Sequence, residues 1–522
     1  MNSQRTVLII GAGLGGIATA AHLARKGYEV LVIEKNHAPG GRCGQITRQG
    51  HRFDTGPTLF LIPEVFEATY AALGERLKDH LDLQRIDPTY RFHFDDGRYL
   101  SLTSDLKSMQ RQLEAIEPGS FNGLLRYMVE GQQHYSLAVK DLAGRNFYKL
   151  SEYFNPKNIG LLYKLKGLVK HYNNIGNYFQ HPYLKAAFTF QDMYLGLSPF
   201  DAPSTYSLLQ YTELVDGVWF PMGGMYRIIQ SMVSIAKSLG VQFIYNAPVK
   251  TIVTDGDRTT GVILKDGSQI MADVVVANAD LPYVYRKLLP DKAPANRIGR
   301  KKLTCSAITF YWGVDRVYSQ LETHNLFVAR NYRASLDRVF KDKSLPEEPN
   351  FYVHAPTRTD PTAAPPGKDT LMVLVPVGRL SDKEEQDWSL LRSQARSAVL
   401  DRLAELGMTD LESQINFEVS YSPRTYQSMY NLEKGAAFGS INHNFLQIGF
   451  LRPHNRHSQY RNLFFTGGST HPGSGLPLVL LSAKLTSERI FDEIGIPELQ
   501  RGFDFMPTGV PAKDLVFEEV DG

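Results

Sequence analysis

Residues 7–16 read VLIIGAGLGG, and this stretch decides the fold of the chain. Its four apolar residues predict a short buried strand of a parallel sheet, because the run is β-branched and too short for a helix. Gly11 permits a tight turn, Gly13 lets a pyrophosphate approach the backbone, and Gly16 lets the next helix pack against the strand. Glu34 ends the following strand, where a carboxylate can accept both hydroxyls of a ribose. The pattern predicts a dinucleotide site; the alternative is an ordinary glycine-rich strand-to-helix turn.

A second glycine-rich loop follows that strand. It begins at Lys35, and its Gly40-Gly41 pair is followed by Arg42, a fixed cation beside backbone that another group can approach closely. A pyrophosphate is a suitable partner for this guanidinium, as it is for the N–H groups at the start of the preceding helix. The alternative is a surface loop with a solvated arginine.

The composition is that of an ordinary globular protein. Its 522 residues are 43% hydrophobic and 21% charged, enough for a buried core and for two or more domains. The formal net charge of +3 gives no indication of nucleic-acid binding. Two cysteines, Cys43 and Cys305, match no metal-ligand spacing and favour a reducing compartment. The 27 tyrosines and 28 phenylalanines suit a large apolar binding space or, equally, an aromatic core.

Residues 155–179 are the segment best suited to a membrane surface. No run of 18 apolar residues occurs, so we predict no membrane-spanning helix. Within 155–179 the apolar residues at helical spacing are Ile159, Leu162, Leu165, Leu168, Val169 and Tyr172. The lysines, mainly on the opposite side, are Lys157, Lys164 and Lys170, with Lys166 at the border. Such a helix can lie in a membrane interface; the alternative is a surface helix whose apolar side faces the core.

Several other elements follow from their patterns. Residues 90–102 predict a β-hairpin with its turn at Asp96-Gly97. Residues 217–225 predict the opening of a helix that runs to 240, and residues 241–276 predict an antiparallel meander that leads back to a buried strand. Further predicted elements are strands over 305–312 and 371–377 and a helix over 388–406.

The last informative block, residues 462–477, reads NLFFTGGSTHPGSGLP. An apolar strand ends here in glycines, and a helix over 478–490 follows. A second helix N-terminus therefore begins near Leu476, and its N–H groups and dipole would stabilise negative charge.

The glycine triplet, Glu34 and Gly40-Gly41-Arg42 together resemble the FAD-binding motifs of the amine-oxidase and carotenoid-desaturase class of flavoproteins. Three further stretches, 218–224, 450–455 and 470–477, are similar to the bacterial-type phytoene desaturases and their relatives that act on C30 carotenoids. The resemblance extends over nearly the whole chain. Gly467-Gly468 is a departure, because amine oxidases of this class often carry Gly-Asp there, and it argues against an amine substrate.

The resemblance implies an α/β fold with a discontinuous, Rossmann-like FAD-binding domain of the glutathione-reductase-2 type, interleaved with an α+β substrate domain. The implied boundaries are 1–85, 221–285 and 455–500 for the FAD-binding domain, 86–220 and 286–454 for the substrate domain with membrane-contacting helices around 155–179, and 501–522 for a C-terminal tail. The implied FAD ligands are Gly11, Gly13, Gly15, Gly16, Glu34, Lys35, Gly41, Arg42, Val249, Gly467, Gly468 and Gly475.

The activity implied by the resemblance is FAD-dependent desaturation of a carotenoid, in the first place of phytoene, an acyclic C40 carotene, toward lycopene. A CH2–CH2 unit between double bonds can lose hydride to flavin N5 because the resulting cation is allylic, and a proton then leaves the neighbouring carbon. The cofactor carries the difficult step, so a dedicated base is not required. His471 and Glu213 are candidate catalytic residues, and the alternative for each is a structural hydrogen-bonding role.

The partners that follow are an acyclic carotene, a quinone or oxygen as electron acceptor, and a membrane surface from which the hydrocarbon is drawn. We therefore expect a cytoplasmic protein at the periphery of a membrane, with no nucleic-acid or metal ligand. Enzymes that share these motifs include C30 diapophytoene desaturases, 3,4-desaturases, terminal-methyl oxidases and carotenoid isomerases. A different class on the same fold is a non-catalytic lipid-binding escort similar to the GDP-dissociation inhibitors, which need not retain FAD.

Overall fold

The structure, a computed structural model, describes residues 5–497 except 139–142, 154 and 383–384. The predicted C-terminal tail and positions 498–500 of the predicted FAD-binding domain lie outside the described residues.

The strands of the described chain are β1 (Thr6–Ile10), β2 (Glu29–Ile33), β3 (Gln45–Arg48), β4 (His51–Asp54), β5 (Leu83–Ile86), β6 (Tyr90–His93), β7 (Tyr99–Leu102), β8 (Val218–Pro221), β9 (Gln242–Ile244), β10 (Val249–Asp255), β11 (Arg258–Leu264), β12 (Gln269–Met271), β13 (Val274–Ala277), β14 (Ser306–Val314), β15 (His324–Phe327), β16 (Phe351–His354), β17 (Asp369–Val377), β18 (Ile415–Tyr421) and β19 (Leu463–Phe465). The helices are α1 (Leu14–Ala24), α2 (Pro63–Leu73), α3 (Leu106–Ile116), α4 (Ser120–Ala138), α5 (Leu150–Tyr153), α6 (Pro156–Lys164), α7 (His171–Ile175), α8 (Pro182–Ala187), α9 (Ser207–Val215), α10 (Tyr226–Ser238), α11 (Leu281–Tyr283), α12 (Lys292–Gly299), α13 (Tyr332–Asp337), α14 (Trp388–Glu405), α15 (Leu411–Gln414), α16 (Pro423–Tyr430) and α17 (Leu476–Ile494).

A five-stranded parallel sheet with the order β19-β13-β1-β2-β9 carries the opening motif at its centre. Its strands come from the beginning, the middle and the end of the chain. Ile9 lies opposite Val276, which in turn lies opposite Phe464. Because parallel strands end at the same edge, the polar and glycine residues that follow β1, β13 and β19 meet there.

The two faces of this sheet are buried by different layers. Val7 and Ile9 pack with α1, α10 and α17, while Leu8 and Ile10 pack with the antiparallel strands β10 and β11. Because successive side chains of β1 point to opposite faces of the sheet, this strand contributes residues to both hydrophobic cores. Both faces being covered explains why VLII is apolar throughout, as the sequence predicted for a parallel strand.

A seven-stranded mixed sheet, ordered β18-β14-β17-β16-β15-β6-β7, forms the second large layer. The long strands β14 and β17 pair antiparallel from Ser306 opposite Val377 onward, and α14 covers one face with Ala395 and Val399. The predicted hairpin is confirmed, since β6 and β7 pair with Tyr90 opposite Leu102. The predicted strands over 305–312 and 371–377 and the helix over 388–406 are also present, with ends shifted by two residues or fewer.

Two predicted segments differ from the structure around residues 217–276. Residues 218–221 form strand β8, which pairs with β5, and the helix predicted from 217 begins only at Tyr226. The predicted meander is confirmed for β10, β11 and β12, and the buried strand to which it leads back is β13, which pairs with β1 and β19 in the parallel sheet. Strand β9 differs from the prediction because it joins the parallel sheet beside β2, and an alternating pattern cannot distinguish such a strand from one of a meander.

The single helix predicted over 155–179 is wrong. Helix α6 ends at Lys164 and α7 begins at His171, with Lys166 in the left-handed region at a φ of 49°. The ammonium group of Lys166 forms an ion pair with Glu130 on α4, so the predicted border lysine holds the break against the neighbouring helix. Within the described residues, no helix is long and apolar enough to span a bilayer.

Candidate active site

One cavity of about 590 Å³ extends from the edge of the parallel sheet to the mixed sheet. We call the part lined by residues 10–11, 13–15, 33–36, 40–43, 247–249, 278–280, 467–469 and 474–479 the glycine-lined end. The apolar end is lined by Leu59, Leu61, Ile62, Tyr90, Phe190, Met193, Tyr194, Leu195, Leu209, Tyr352, Met372 and Leu374. A cavity of this size, mostly apolar with a few convergent polar groups, is typical of a small-molecule or cofactor site.

The structure brings most of the predicted site residues to this cavity. Those that line it are Gly11, Gly13, Gly15, Glu34, Lys35, Gly41, Arg42, Val249, Gly467, Gly468 and Gly475. Gly16 lies behind the lining, and neither His471 nor Glu213 is among the described residues that line the cavity.

The turn between β1 and α1 has room for glycine only. Gly11 has a φ of 101°, and a methyl group at Gly16 would overlap the carbonyl oxygen of Gly11. At Gly15 an added Cβ would lie 2.7 Å from Oδ1 of Asn278. The amide of Asn278 donates to the Gly11 carbonyl oxygen at 3.2 Å and so clamps the turn from the end of β13. Helix α1 therefore begins at the cavity with its first N–H groups free of intrahelical partners.

Glu34 is buried at the end of β2, and each carboxylate oxygen accepts one backbone hydrogen bond. The donors are the N–H of Ala12 at 2.8 Å and the N–H of Asn36 at 2.9 Å. A carboxylate has further lone pairs, so these two bonds fix its orientation and leave acceptor capacity for a ligand hydroxyl.

The two predicted cations lie at different places along the glycine-lined end. Arg42 donates to the carbonyl oxygen of Ala437 at 3.3 Å, and an added Cβ at Gly468 would lie 2.9 Å from its Nη2. Burial lowers the pKa of the Arg42 guanidinium, and the Asp280 carboxylate nearby opposes that shift. Lys35 instead donates to the carbonyl oxygen of Ser428 at 2.8 Å, at the end of α16.

The loop after β4 reaches the cavity because Asp54 holds it. The carboxylate of Asp54 accepts the N–H groups of Met225 at 2.9 Å and Tyr226 at 3.2 Å, at the start of α10. Burial raises the pKa of Asp54 to about 6, against the opposing effect of these two bonds. A methyl group at Gly56 would overlap the carbonyl oxygen of Arg42, so the loop after β4 is in direct contact with the loop that carries Gly40-Gly41-Arg42.

Helix α17 provides the second helix N-terminus at the cavity. Its N-cap, Gly475, has a φ of 103°, and no atom lies within 4 Å of an added Cβ there, so it faces open space. Gly467, with a φ of 98°, would place a Cβ 2.6 Å from Oδ1 of Asn278. The glycines after β19 and those after β1 thus converge on the same asparagine side chain.

His471 lies behind the cavity wall. Its Nε2 is 3.0 Å from the carbonyl oxygen of Arg145, and its backbone N–H donates to the carbonyl oxygen of Pro453 at 2.9 Å. Burial lowers the pKa of His471 to about 4, so the ring is neutral near pH 7. These contacts are those of a residue that holds two loops together.

Glu213 is fully buried on α9, behind the tyrosines of the apolar end. Its Oε2 accepts a hydrogen bond from the Gln191 amide at 3.1 Å, and its other oxygen has no aligned hydrogen-bond partner in the described chain. The Tyr194 hydroxyl lies beside this carboxyl group and beside Tyr90. Burial raises the pKa of Glu213 to about 8, so the group is mainly a neutral acid at pH 7.

The sequence of this chain matches the pattern of the flavin containing amine oxidoreductases over residues 14–491. The chain belongs to that family. Within it, the chain belongs with the carotenoid desaturases, and like them it uses FAD.

Three relatives support this placement. The chain is 44% identical to a phytoene desaturase of Phycomyces blakesleeanus, with 95% of this chain and 87% of that protein covered. It is 44% identical to a zeta-carotene-forming phytoene desaturase of Myxococcus xanthus, with 93% and 94% covered. It is 33% identical to a 4,4'-diapophytoene desaturase of Staphylococcus haemolyticus, with 94% and 99% covered.

The fold is also that of solved flavoproteins. A cofactor-binding variant of putrescine oxidase superposes with a TM-score of 0.63 at 15% identity, covering 94% of this chain and 99% of the other. At that identity the likeness concerns the fold alone.

The family resemblance also implies that Asn278-Ala279 passes near the cofactor, but sequence reasoning did not identify Asn278 as the residue that clamps the glycine turn of this carotenoid desaturase. The feature of the sequence that could have identified Asn278 is its position directly after β13. Ala277, the last residue of β13, lies opposite Ile10, which immediately precedes the glycine turn. Arg452 was also missed, although it lies within the stretch 450–455 that carries the family resemblance. Its partners come from residues 441–470 and show no spacing of their own.

Proposed function

We propose that this protein desaturates an acyclic C40 carotene, phytoene, with FAD bound at the glycine-lined end and the carotene at the apolar end. The observation that carries the proposal is that the two ends are one cavity. The names of the relatives that share 44% of this sequence support phytoene as the substrate.

In this proposal the adenosine and pyrophosphate of FAD lie along the turn after β1. The N–H groups of α1 and the guanidinium of Arg42 would hold the pyrophosphate, and Glu34 would accept the ribose hydroxyls. Val249 would contact the adenine, and α17 would direct its first N–H groups toward the flavin ring. The predicted division into interleaved FAD-binding and substrate domains agrees with a parallel sheet built from three separate segments.

Bound FAD supplies an acceptor, its N5, for the hydride that leaves one carbon of the carotene, and a proton leaves the neighbouring carbon. The protein positions the polyene and excludes water. The apolar end provides aliphatic, thioether and aromatic side chains for this, including Leu209, Met193 and Phe190. Since neither Glu213 nor His471 reaches the cavity surface, we assign both a structural role and assign the proton to no side chain.

The test is a reaction with phytoene-loaded liposomes and purified holoprotein, followed by absorption spectroscopy. New visible bands are expected as conjugation lengthens, with a quinone or oxygen as the electron acceptor. Isomer interconversion without any acceptor would instead indicate a carotenoid isomerase. Turnover of C30 diapophytoene in place of phytoene would indicate the substrate of the staphylococcal relative, and colourless protein that cannot be loaded with FAD would indicate a lipid-binding escort.

We also propose that residues 163–170, which form the end of α6 and the segment that follows it, contact a membrane. Their outward apolar side chains include Tyr163, with 87% of its surface exposed, and Leu168, with 79%. Leu446 is exposed on the neighbouring loop, where Phe445 packs against Gly167. Exposed apolar residues beside lysines suit the interface of an anionic bilayer.

Vesicle flotation tests this second proposal. Leu168→Glu should reduce binding to vesicles that contain anionic lipid, because a carboxylate opposes both insertion and charge attraction. Leu390→Glu, at an exposed leucine of α14, is the matched control and should bind as the unmodified protein does. Equal binding by both variants would contradict the proposal.

A further inference from the structure

Arg452 is the largest charged side chain that is fully buried in the described chain. Its guanidinium donates to five backbone carbonyl oxygens at 2.7–3.2 Å; these belong to Ile441, Asn442, Gln447, Gly468 and Thr470. None of these partners is a carboxylate. Hydrogen bonding is satisfied, but the positive charge is not neutralised by a contacting anion.

The groups around Arg452 respond to this uncompensated charge. Burial, together with the charge of Arg452, lowers the pKa of His443 and of Lys301. Burial lowers the pKa of Arg452 itself to about 10, so the guanidinium remains a cation at neutral pH. Since its burial limits solvent screening, its field extends into the surrounding structure.

The cavity wall lies one peptide away from this charge. Nη2 of Arg452 donates to the Gly468 carbonyl oxygen at 2.7 Å, and both Gly468 and Ser469 line the cavity. In a trans peptide the N–H points away from the carbonyl, so the Ser469 N–H is directed away from Arg452. No hydrogen bond of this N–H to another described residue is formed, while the Ser469 side chain is held by the N–H of Leu281 at 3.0 Å.

We propose that Arg452 is a positioning residue that raises the reduction potential of the bound flavin, by its charge and by orienting the Gly468–Ser469 peptide. Reduction of a flavin places negative charge on its N1/O2 edge, and a fixed buried cation with an oriented N–H stabilises that charge. This inference depends on the FAD site at the glycine-lined end. Arg452 would then act on the flavin in addition to the N-terminus of α17. It lies 24 residues before Leu476, the first residue of that helix.

Sulfite is the probe, because it forms a bond to N5 of oxidised flavin and moves an electron pair to the same N1/O2 edge. Arg452→Gln should weaken sulfite binding at least tenfold and lower the midpoint potential in a dye-coupled titration, a tenfold change corresponding to about 30 mV for a two-electron couple. Arg452→Lys keeps the charge, and its affinity for sulfite should stay within about threefold of that of the unmodified protein.

A second variant tests the proposal even if Arg452→Gln fails to fold. Asn442→Asp leaves Arg452 in place and introduces a carboxylate beside it, on a side chain whose Oδ1 already accepts the Gln447 amide at 2.8 Å. It should weaken sulfite binding in the same direction. Unchanged sulfite affinity in flavin-containing Asn442→Asp, whether or not Arg452→Gln retains FAD, would overturn the proposal.

These readouts are separate from turnover. A holoprotein that reacts with sulfite as expected and does not desaturate phytoene would overturn the proposed substrate and leave the role of Arg452 intact. A thermal unfolding scan of each variant completes the set, since a purely structural arginine would lower Tm without moving the potential of the flavin that remains bound.

Discussion

The two ends of the cavity are built on different physical principles. At the glycine-lined end, single atoms decide the geometry: Asn278 lies close enough to Gly15 and Gly467 that a methyl group on either would collide with it. At the apolar end, the wall consists of aliphatic, methionine and aromatic side chains, among them residues of α9, β16 and β17. Dispersion contacts have no required direction, so this wall can adapt where the glycine turn cannot.

The polar groups differ in the same way. Glu34 and Asn278 have defined hydrogen-bond partners, whereas the hydroxyls of Tyr90 and Tyr194 and one oxygen of Glu213 have no aligned partner in the described chain. The glycine-lined end is therefore suited to a ligand of fixed shape. The apolar end is suited to a flexible hydrocarbon, which it would confine mainly by excluding water.

The largest effect is expected at the glycine turn. Gly16→Ala adds a methyl group where the Gly11 carbonyl oxygen lies, so the turn must open, at a cost on the order of 3 kcal/mol. The purified variant should lack flavin absorbance or bind FAD at least tenfold more weakly. Gly160→Ala is the control, since no atom lies within 4 Å of its added Cβ, and its flavin content should be unchanged. Normal flavin content in Gly16→Ala would contradict the conclusion that single atoms decide the geometry of the glycine-lined end.

The apolar end should tolerate a change of shape but not a loss of space. Leu209 lines the cavity from α9, and Leu209→Trp should lower carotene turnover at least tenfold while FAD content stays normal. Leu209→Met conserves volume and should change the free energy of unfolding by less than about 1.5 kcal/mol. Loss of flavin in Leu209→Trp would show that the two ends are not independent.

A pH-dependent effect is expected at Glu213. Its pKa is about 8 in the fold, above an ordinary value of 4.5, so between these pH values the folded state keeps a proton that the unfolded state has released. Stability should therefore fall as pH rises through this interval, by at most about 1.4 kcal/mol per pH unit.

Glu213→Gln removes that proton equilibrium. The variant should gain stability relative to the unmodified protein as pH rises from 5 to 8, measured by urea unfolding, and should keep its desaturase activity within about threefold. Glu67→Gln, at an exposed position, should leave the pH dependence as it was. Abolished activity in folded, flavin-containing Glu213→Gln would instead identify Glu213 as the proton acceptor.

The smallest effect is expected at the margin of the glycine-lined end. Lys35 donates to the Ser428 carbonyl oxygen and to Asn431, both beyond the glycine turn. Lys35→Gln should raise the Kd for FAD about threefold, or about 0.7 kcal/mol, because partly solvated cations contribute little. Lys250→Gln, at an exposed position of β10, should leave the Kd unchanged, and an equal effect in both variants would show that only net charge matters.

The strand, turn and helix of the glycine-lined end could be predicted from the sequence because the interactions that form them are local. Gly11, Gly16 and Glu34 lie within 24 residues, and the turn requires these residue types at these spacings. The hairpin at Asp96-Gly97 is local in the same sense.

The other features of the structure depend on contacts between residues that are far apart in the sequence, so no short stretch of sequence predicts them. Strand β8 forms because β5 pairs with it, and the break after α6 depends on the ion pair between Lys166 and Glu130. Arg452 and Asn278 act through carbonyl groups of residues brought together by the fold. Backbone acceptors are the same in every residue, so such partners leave no signature in composition or periodicity.

The placement of α17 has a consequence for how the protein is made. This helix packs against α1, and the hydroxyls of Thr19 and Thr466 are 3.1 Å apart beside it. During translation the ribosome must therefore add more than 450 residues before the two halves of the flavin pocket can meet. Until then the N-terminal portion of the nascent chain exposes apolar strand edges, so the flavin pocket should form only after α17 has been synthesised.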